Sequence, residues 1–132
     1  MASFDLGNVI KGAAALVPQT AGVANINSVA VDLQGYESVA FVATVGSGNT
    51  NATINAVMAF YESDDDTRAN ATALSASRII ENPTLNAANT TFTASVVPTK
   101  RYAFVELDPA ATFGSAVSIT AILGNPHEAP TA

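Results

Sequence analysis

Residues 28–45, SVAVDLQGYESVAFVATV, decide how the rest of the chain is read. Val29, Val31 and Leu33 alternate with Ser28, Ala30, Asp32 and Gln34, and Val39, Phe41, Ala43 and Val45 resume the two-residue period beyond Gly35. A period of two belongs to a strand with one face in the core, not to a helix, whose apolar positions recur every three or four residues. The Gly-Tyr-Glu step between the runs has turn chemistry, so the stretch predicts an antiparallel hairpin and an all-β protein.

The same punctuation continues outward on both sides. Residues 47–52, SGNTNA, read as a loop, after which 53–62 place Ile54, Ala56, Met58 and Phe60 on one face. Asp64, Asp65 and Asp66 end that strand, and Leu74–Ile80 suits either a strand or a helical turn. Asn82-Pro83 opens a polar connection reaching to about Thr90, since proline holds the residue before it in extended geometry. Phe92–Val97 and Lys100–Leu107 are expected as a strand pair around Pro98 and Thr99. The last strand, 116–123, directs Val117, Ile119, Ala121 and Leu123 to one side before Gly124-Asn125-Pro126 stops it. Short strands at this spacing without a long amphipathic helix predict a single-domain antiparallel β-sandwich or jelly-roll-like barrel over residues 27–124. Residues 1–26 are expected as an extended N-terminal arm and 125–132 as a C-terminal tail.

The arm is apolar, with Phe4, Leu6, Val9, Ile10, Leu16 and Val17 among scattered glycines. A free tail of that kind would expose too much apolar surface, so it is expected either laid back over the sheet or buried against a neighbouring subunit, with the neighbour favoured. Deletion of residues 2–20 is then expected to leave the β-domain folded. The GAAALV run is too short and too poor in cations for an export signal, Lys11 being the only one, and nothing approaches the length of a membrane span.

Composition narrows the function. The 132 residues support one ordinary core, and 48% of them are hydrophobic while only 12% are charged, a low share for a surface bathed entirely in water. Five basic residues against eleven acidic ones give a net charge of −6, with no basic footprint for DNA, RNA or an anionic membrane. Absence of cysteine removes disulfides, thiolate metal sites and thiol nucleophiles together.

No constellation points to catalysis. The one histidine, His127, lies in the proline-bracketed tail, where nothing holds it as a general base. Asp64 and Asp66 are the only candidates for a cation, yet ESDDDTRAN lacks the order of ligands in an EF-hand and reads as a solvated turn. Gly46-Ser47-Gly48 has no following lysine and is a loop, not a phosphate cradle. Neither cofactor nor metal is expected, and the protein is read as non-enzymatic. Tyr36, Tyr61 and Tyr102 sit at turns where a phenol can bury its ring and keep its hydroxyl wet, and Arg101 beside Tyr102 can meet acids of a neighbour. Tyr36, Arg101 and Tyr102 therefore join the arm residues as interface candidates.

Four stretches taken in order, VDLQGYESVAF (31–41), YESDD (61–65), KRY (100–102) and AILGNPHEAP (121–130), resemble small tailed-bacteriophage proteins known as head-decoration or cement proteins. In those proteins the segment after KRY carries another arginine, whereas here Phe104 and Glu106 follow. The resemblance implies a virion structural protein on the outer capsid surface, bound to the major capsid protein as a homotrimer and stabilising the head. Another phage component, from the tail or the head-completion machinery, and a glycan-binding β-sandwich module are the alternative readings.

Overall fold

The computed structural model describes residues 10–48, 54–110 and 113–126. It is an all-β sandwich of two antiparallel sheets. Strands β1 (Lys11–Ala21), β4 (Tyr36–Gly48), β7 (Ile79–Glu81), β8 (Thr90–Val96) and β10 (Ser115–Pro126) form one sheet, in the order β1-β10-β4-β8-β7. The other has the order β2-β9-β5-β6, from β2 (Ile26–Asn27), β9 (Tyr102–Pro109), β5 (Ala56–Ser63) and β6 (Thr72–Ala73), while β3 (Val31–Asp32) also pairs with β9.

The pairs β1·β10, β2 and β3·β9, β4·β8 and β5·β6 are nested, as in one long hairpin. Rolling that hairpin up brings β10 beside β4 and β9 beside β5. That is jelly-roll connectivity. Most turns therefore carry the chain across the core rather than back along the same sheet, and this corrects two expected hairpins. Residues 31–33 and 36–45 lie in different sheets, and so do β8 and β9. Periodicity is silent on this point, because it specifies which face of a strand is apolar, and both sheets turn that face to the same core.

The inward faces match the alternation. Val39, Phe41, Ala43 and Val45 face Ala56, Met58 and Phe60, and Val117, Ile119, Ala121 and Leu123 are equally buried. Phe41 and Phe60 stack across the sheets with ring centroids 5.5 Å apart. Val29 breaks the pattern at 63% exposed, because the chain there is irregular: Ser28 Oγ takes the Val105 amide and the Val29 amide donates to the Ala15 carbonyl. Two core residues sit where the sequence reads as loop. Leu85 is anchored by reciprocal backbone bonds with Ala56, and Phe113 is fixed through its amide to Gly22.

The arm needs correction over residues 11–21, which are β1, paired with β10 from Lys11↔Leu123 to Ala21↔Ser115. Ala15 and Leu16 enter the core, so removal of residues 2–20 takes a strand and part of the interior with it. Pro18 and two register shifts interrupt this edge, which discourages another chain from adding a strand there. On the opposite side the 74–80 segment is neither one strand nor one helix but a turn of 3-10 helix (Ala76–Arg78) leading into β7. Strand β10 continues to Pro126, two residues past the expected end of the domain.

Candidate functional site

The turn at Leu33–Tyr36 marks one end of the sandwich. The Tyr36 amide closes it on the Leu33 carbonyl at 2.8 Å, and Gly35 sits at φ +92°, where a side chain would be strained. Asp32 Oδ1 accepts the Gln34 amide at 3.0 Å. The same carboxylate meets Arg101, which donates to it through both Nε and Nη2 at 3.0 Å. Arg101, with the Gln34 amide next in effect, holds the Asp32 carboxyl at about 2, well below its usual 3.8, and Asp32 in turn raises Arg101.

Three further pairings converge here. Tyr102 stands opposite Asp32 and Ser63, and its ring lies 5.1 Å from the Arg101 guanidinium carbon. Thr99 donates its amide to Glu62 at 2.7 Å. Pro126 pairs with Tyr36. Stretches 31–41, 61–65, 100–102 and 121–126, scattered over the sequence, thus all run into one end of the molecule.

Between the Leu33–Glu37 and Val97–Arg101 segments lies an open groove of about 550 Å³. Leu33, Tyr36, Val97 and Pro98 give it apolar walls, while Arg78, Lys100 and Arg101 bring three of the chain's five basic residues to it, with Glu37 as the one acid. The sequence signals only part of this, as the KRY triplet; Arg78 belongs to the 3-10 turn and reaches the groove only because β7 docks beside β8.

The sequence-derived interface residues divide. Tyr36 and Arg101 line the groove and Tyr102 adjoins it. Leu16 is withdrawn as an interface candidate, since at 4% exposed it belongs to the core. Val17, next to it, is 60% exposed, and Ile10 is half-buried. Phe4, Leu6, Val9 and His127 lie outside the described residues. Asp64 and Asp66 do not converge on a cation: among the described residues no group of acids and histidines is placed to hold one. Asp65 between them takes the turn's hydrogen bonds from the Thr67 amide and Asn70 Nδ2, which lower its pKa in that order.

A second polar cluster lies on the β5·β9 sheet. Arg68 stacks on the Tyr61 ring at 3.6 Å, donates to Asn27 Oδ1 and lies 3.7 Å from Glu106, which also accepts from Tyr61 Oη and Asn25 Nδ2. Glu106 thus anchors the 64–71 excursion, a role that its place in the sequence does not reveal.

No protein-family model matches the chain, and no curated protein does. Among solved structures, a chain described under "Bacillus endospore appendages form a novel family of disulfide-linked pili" is similar over 89% of each chain at 15% identity, with a TM-score of 0.47. A likeness at that level bears on neither function nor partners. No helix among the described residues is long and apolar enough to cross a membrane.

Proposed function

We propose that the protein is a non-enzymatic virion structural protein of a tailed bacteriophage, a cement that binds the outside of the capsid shell and bridges major capsid subunits as a homotrimer. The observation that carries this reading is the convergence of the described parts of the four resemblance stretches, 31–41, 61–65, 100–102 and 121–126, on one end of the sandwich. Their inward residues, such as Val31, Leu33, Phe41 and Leu123, belong to the core, but the exposed ones, among them Asp32, Gln34, Glu37 and Arg101, share one surface, and a surface is what attachment requires. The acidic charge suits an outer position away from packaged DNA. The mechanism is linkage: a molecule that binds the assembled shell better than its separated subunits stabilises the shell by that difference, and modest contacts add over many copies.

Quantitative mass spectrometry of purified particles tests the reading. Many copies per particle, lost on mild dissociation together with heat resistance of the head, are expected. A few copies per particle point instead to a tail or head-completion component. Absence from particles overturns the reading.

A further inference from the structure

We propose that the groove between Leu33–Glu37 and Val97–Arg101 is a docking site for an extended segment of a partner protein in which an acidic side chain lies between apolar ones. The inference rests on reading the protein as an attachment module, and its test uses the isolated protein so that the two can fail separately.

The argument starts from how the chain spends its cations. Of five basic residues, Arg68 is committed to Tyr61 and Glu106 and Arg101 to Asp32, while Lys11, at the start of β1, adds its field to Asp32. Among the described residues the side chains of Arg78 and Lys100 have no hydrogen-bonding or ionic partner, and both stand at the groove. Glu37, the one acid there, already has an interaction of its own. Asp32 and Glu62 at the groove's edges, with Glu37, balance the three cations in number, but Arg78 and Lys100 are the ones left without a carboxylate, and on a molecule of net charge −6 such a pair draws a negative group to one place.

The walls say what else the occupant carries. Leu33, Tyr36, Val97 and Pro98 offer apolar surface that a small inorganic anion would leave uncovered. The Ser63–Thr67 turn of a second copy is polar throughout and would leave it uncovered as well. An extended peptide satisfies both requirements, since its alternate side chains can fill the floor while the acid reaches Arg78 and Lys100. The site is also preorganised, which limits the entropy lost on binding. Asp32, next to Leu33, ties the two walls together through Arg101, and Glu62 holds the Val97–Arg101 wall through Thr99. At Gly35 the wall is bare backbone, with no atom within 4 Å of where a Cβ would stand.

The test is selection from a random peptide library on the immobilised, folded protein, followed by fluorescence polarisation with the enriched peptides. Sequences with Asp or Glu between apolar residues are expected to emerge and to lose affinity by about tenfold or more on the R78E/K100E variant. The same peptides with Lys replacing the acid are expected to prefer that variant. Circular dichroism should show the variant as stable as the parent, because neither cation has a partner among the described residues. Enrichment of peptides without an acid, affinity unchanged by R78E/K100E, or no enrichment overturns the proposal. So does sedimentation showing self-association of the parent that R78E/K100E abolishes, which would make a second copy the occupant. Peptide binding by a protein absent from particles leaves this inference standing and overturns the cementing reading.

Discussion

Arg101 meets Asp32 side-on, with one nitrogen on each carboxylate oxygen at 3.0 Å, and so ties the start of β9 to the end of β3 across 69 residues of sequence. Geometry of this bidentate kind is the strong form of an ion pair, yet both side chains are close to half exposed, at 47% and 43%, and water screens much of the attraction. Its contribution to folding is accordingly small, and its contribution to the shape of the groove wall is the larger.

The pair has a defined pH window. Because Asp32 is lowered to about 2 in the folded protein from its ordinary 3.8, it stabilises the fold above the ordinary value and ceases to do so as the pH falls through about 2. Asp32→Asn is expected to lower the thermal midpoint slightly at pH 7, with the difference from the parent gone near the lower limit. Melting curves at descending pH check this, and a difference that persists in strong acid would show that the charge is not responsible.

Phe41 and Phe60 form the stacked contact that joins the sheets. Phe41→Ala leaves a void in a fully buried position and is expected to cost about 3–5 kcal/mol by denaturant titration. Val17→Ala, on the exposed side of β1, should stay within about 0.5 kcal/mol.

Gly35→Ala isolates a backbone effect, since the added methyl meets no neighbour and only the positive φ opposes it. A loss of about 1 kcal/mol is expected. An unchanged midpoint would mean that the turn relaxes to another form.

Removal of residues 2–9 spares every described strand, whereas removal of 2–20 strips β10 of its outer neighbour and takes Leu16 out of the core. The shorter deletion is expected to melt like the parent and the longer one to unfold or aggregate. Leu16→Ala, costing about 2–5 kcal/mol, separates loss of the side chain from loss of the strand.

Arg68→Ala should release the 64–71 excursion from Tyr61, Asn27 and Glu106 while leaving the sheets intact. Limited proteolysis with an enzyme that does not recognise arginine is expected to nick this segment faster than in the parent. Equal rates would show that Asp65's own hydrogen bonds suffice to hold it.

The strands with a clean two-residue period, 39–45, 56–60 and 117–123, were legible in the sequence down to the residues that face inward. Their partners were not, because Val39 and Val31 carry the same local signal although one lies in each sheet. Strand β1 escaped notice for a related reason: bulges at Ala14/Leu16 and Leu16/Gln19 break its alternation, so an edge strand looks like an irregular arm. At the candidate site, Tyr36, Arg101 and Tyr102 were visible as turn residues with interface chemistry. Arg78 and Val97 were not, since only the docking of β7 against β8 brings them to the groove.

Strand β10 stands between β1 and β4, yet it follows β1 by about a hundred residues and is made after every other described strand. A nascent polypeptide must therefore wait, with the apolar sides of β1 and β4 unsheltered, until β10 has left the ribosome. This sheet closes only after β10 is made, at the slower pace of distant pairings, and any premature stop before residue 115 yields an adhesive fragment instead of a smaller domain.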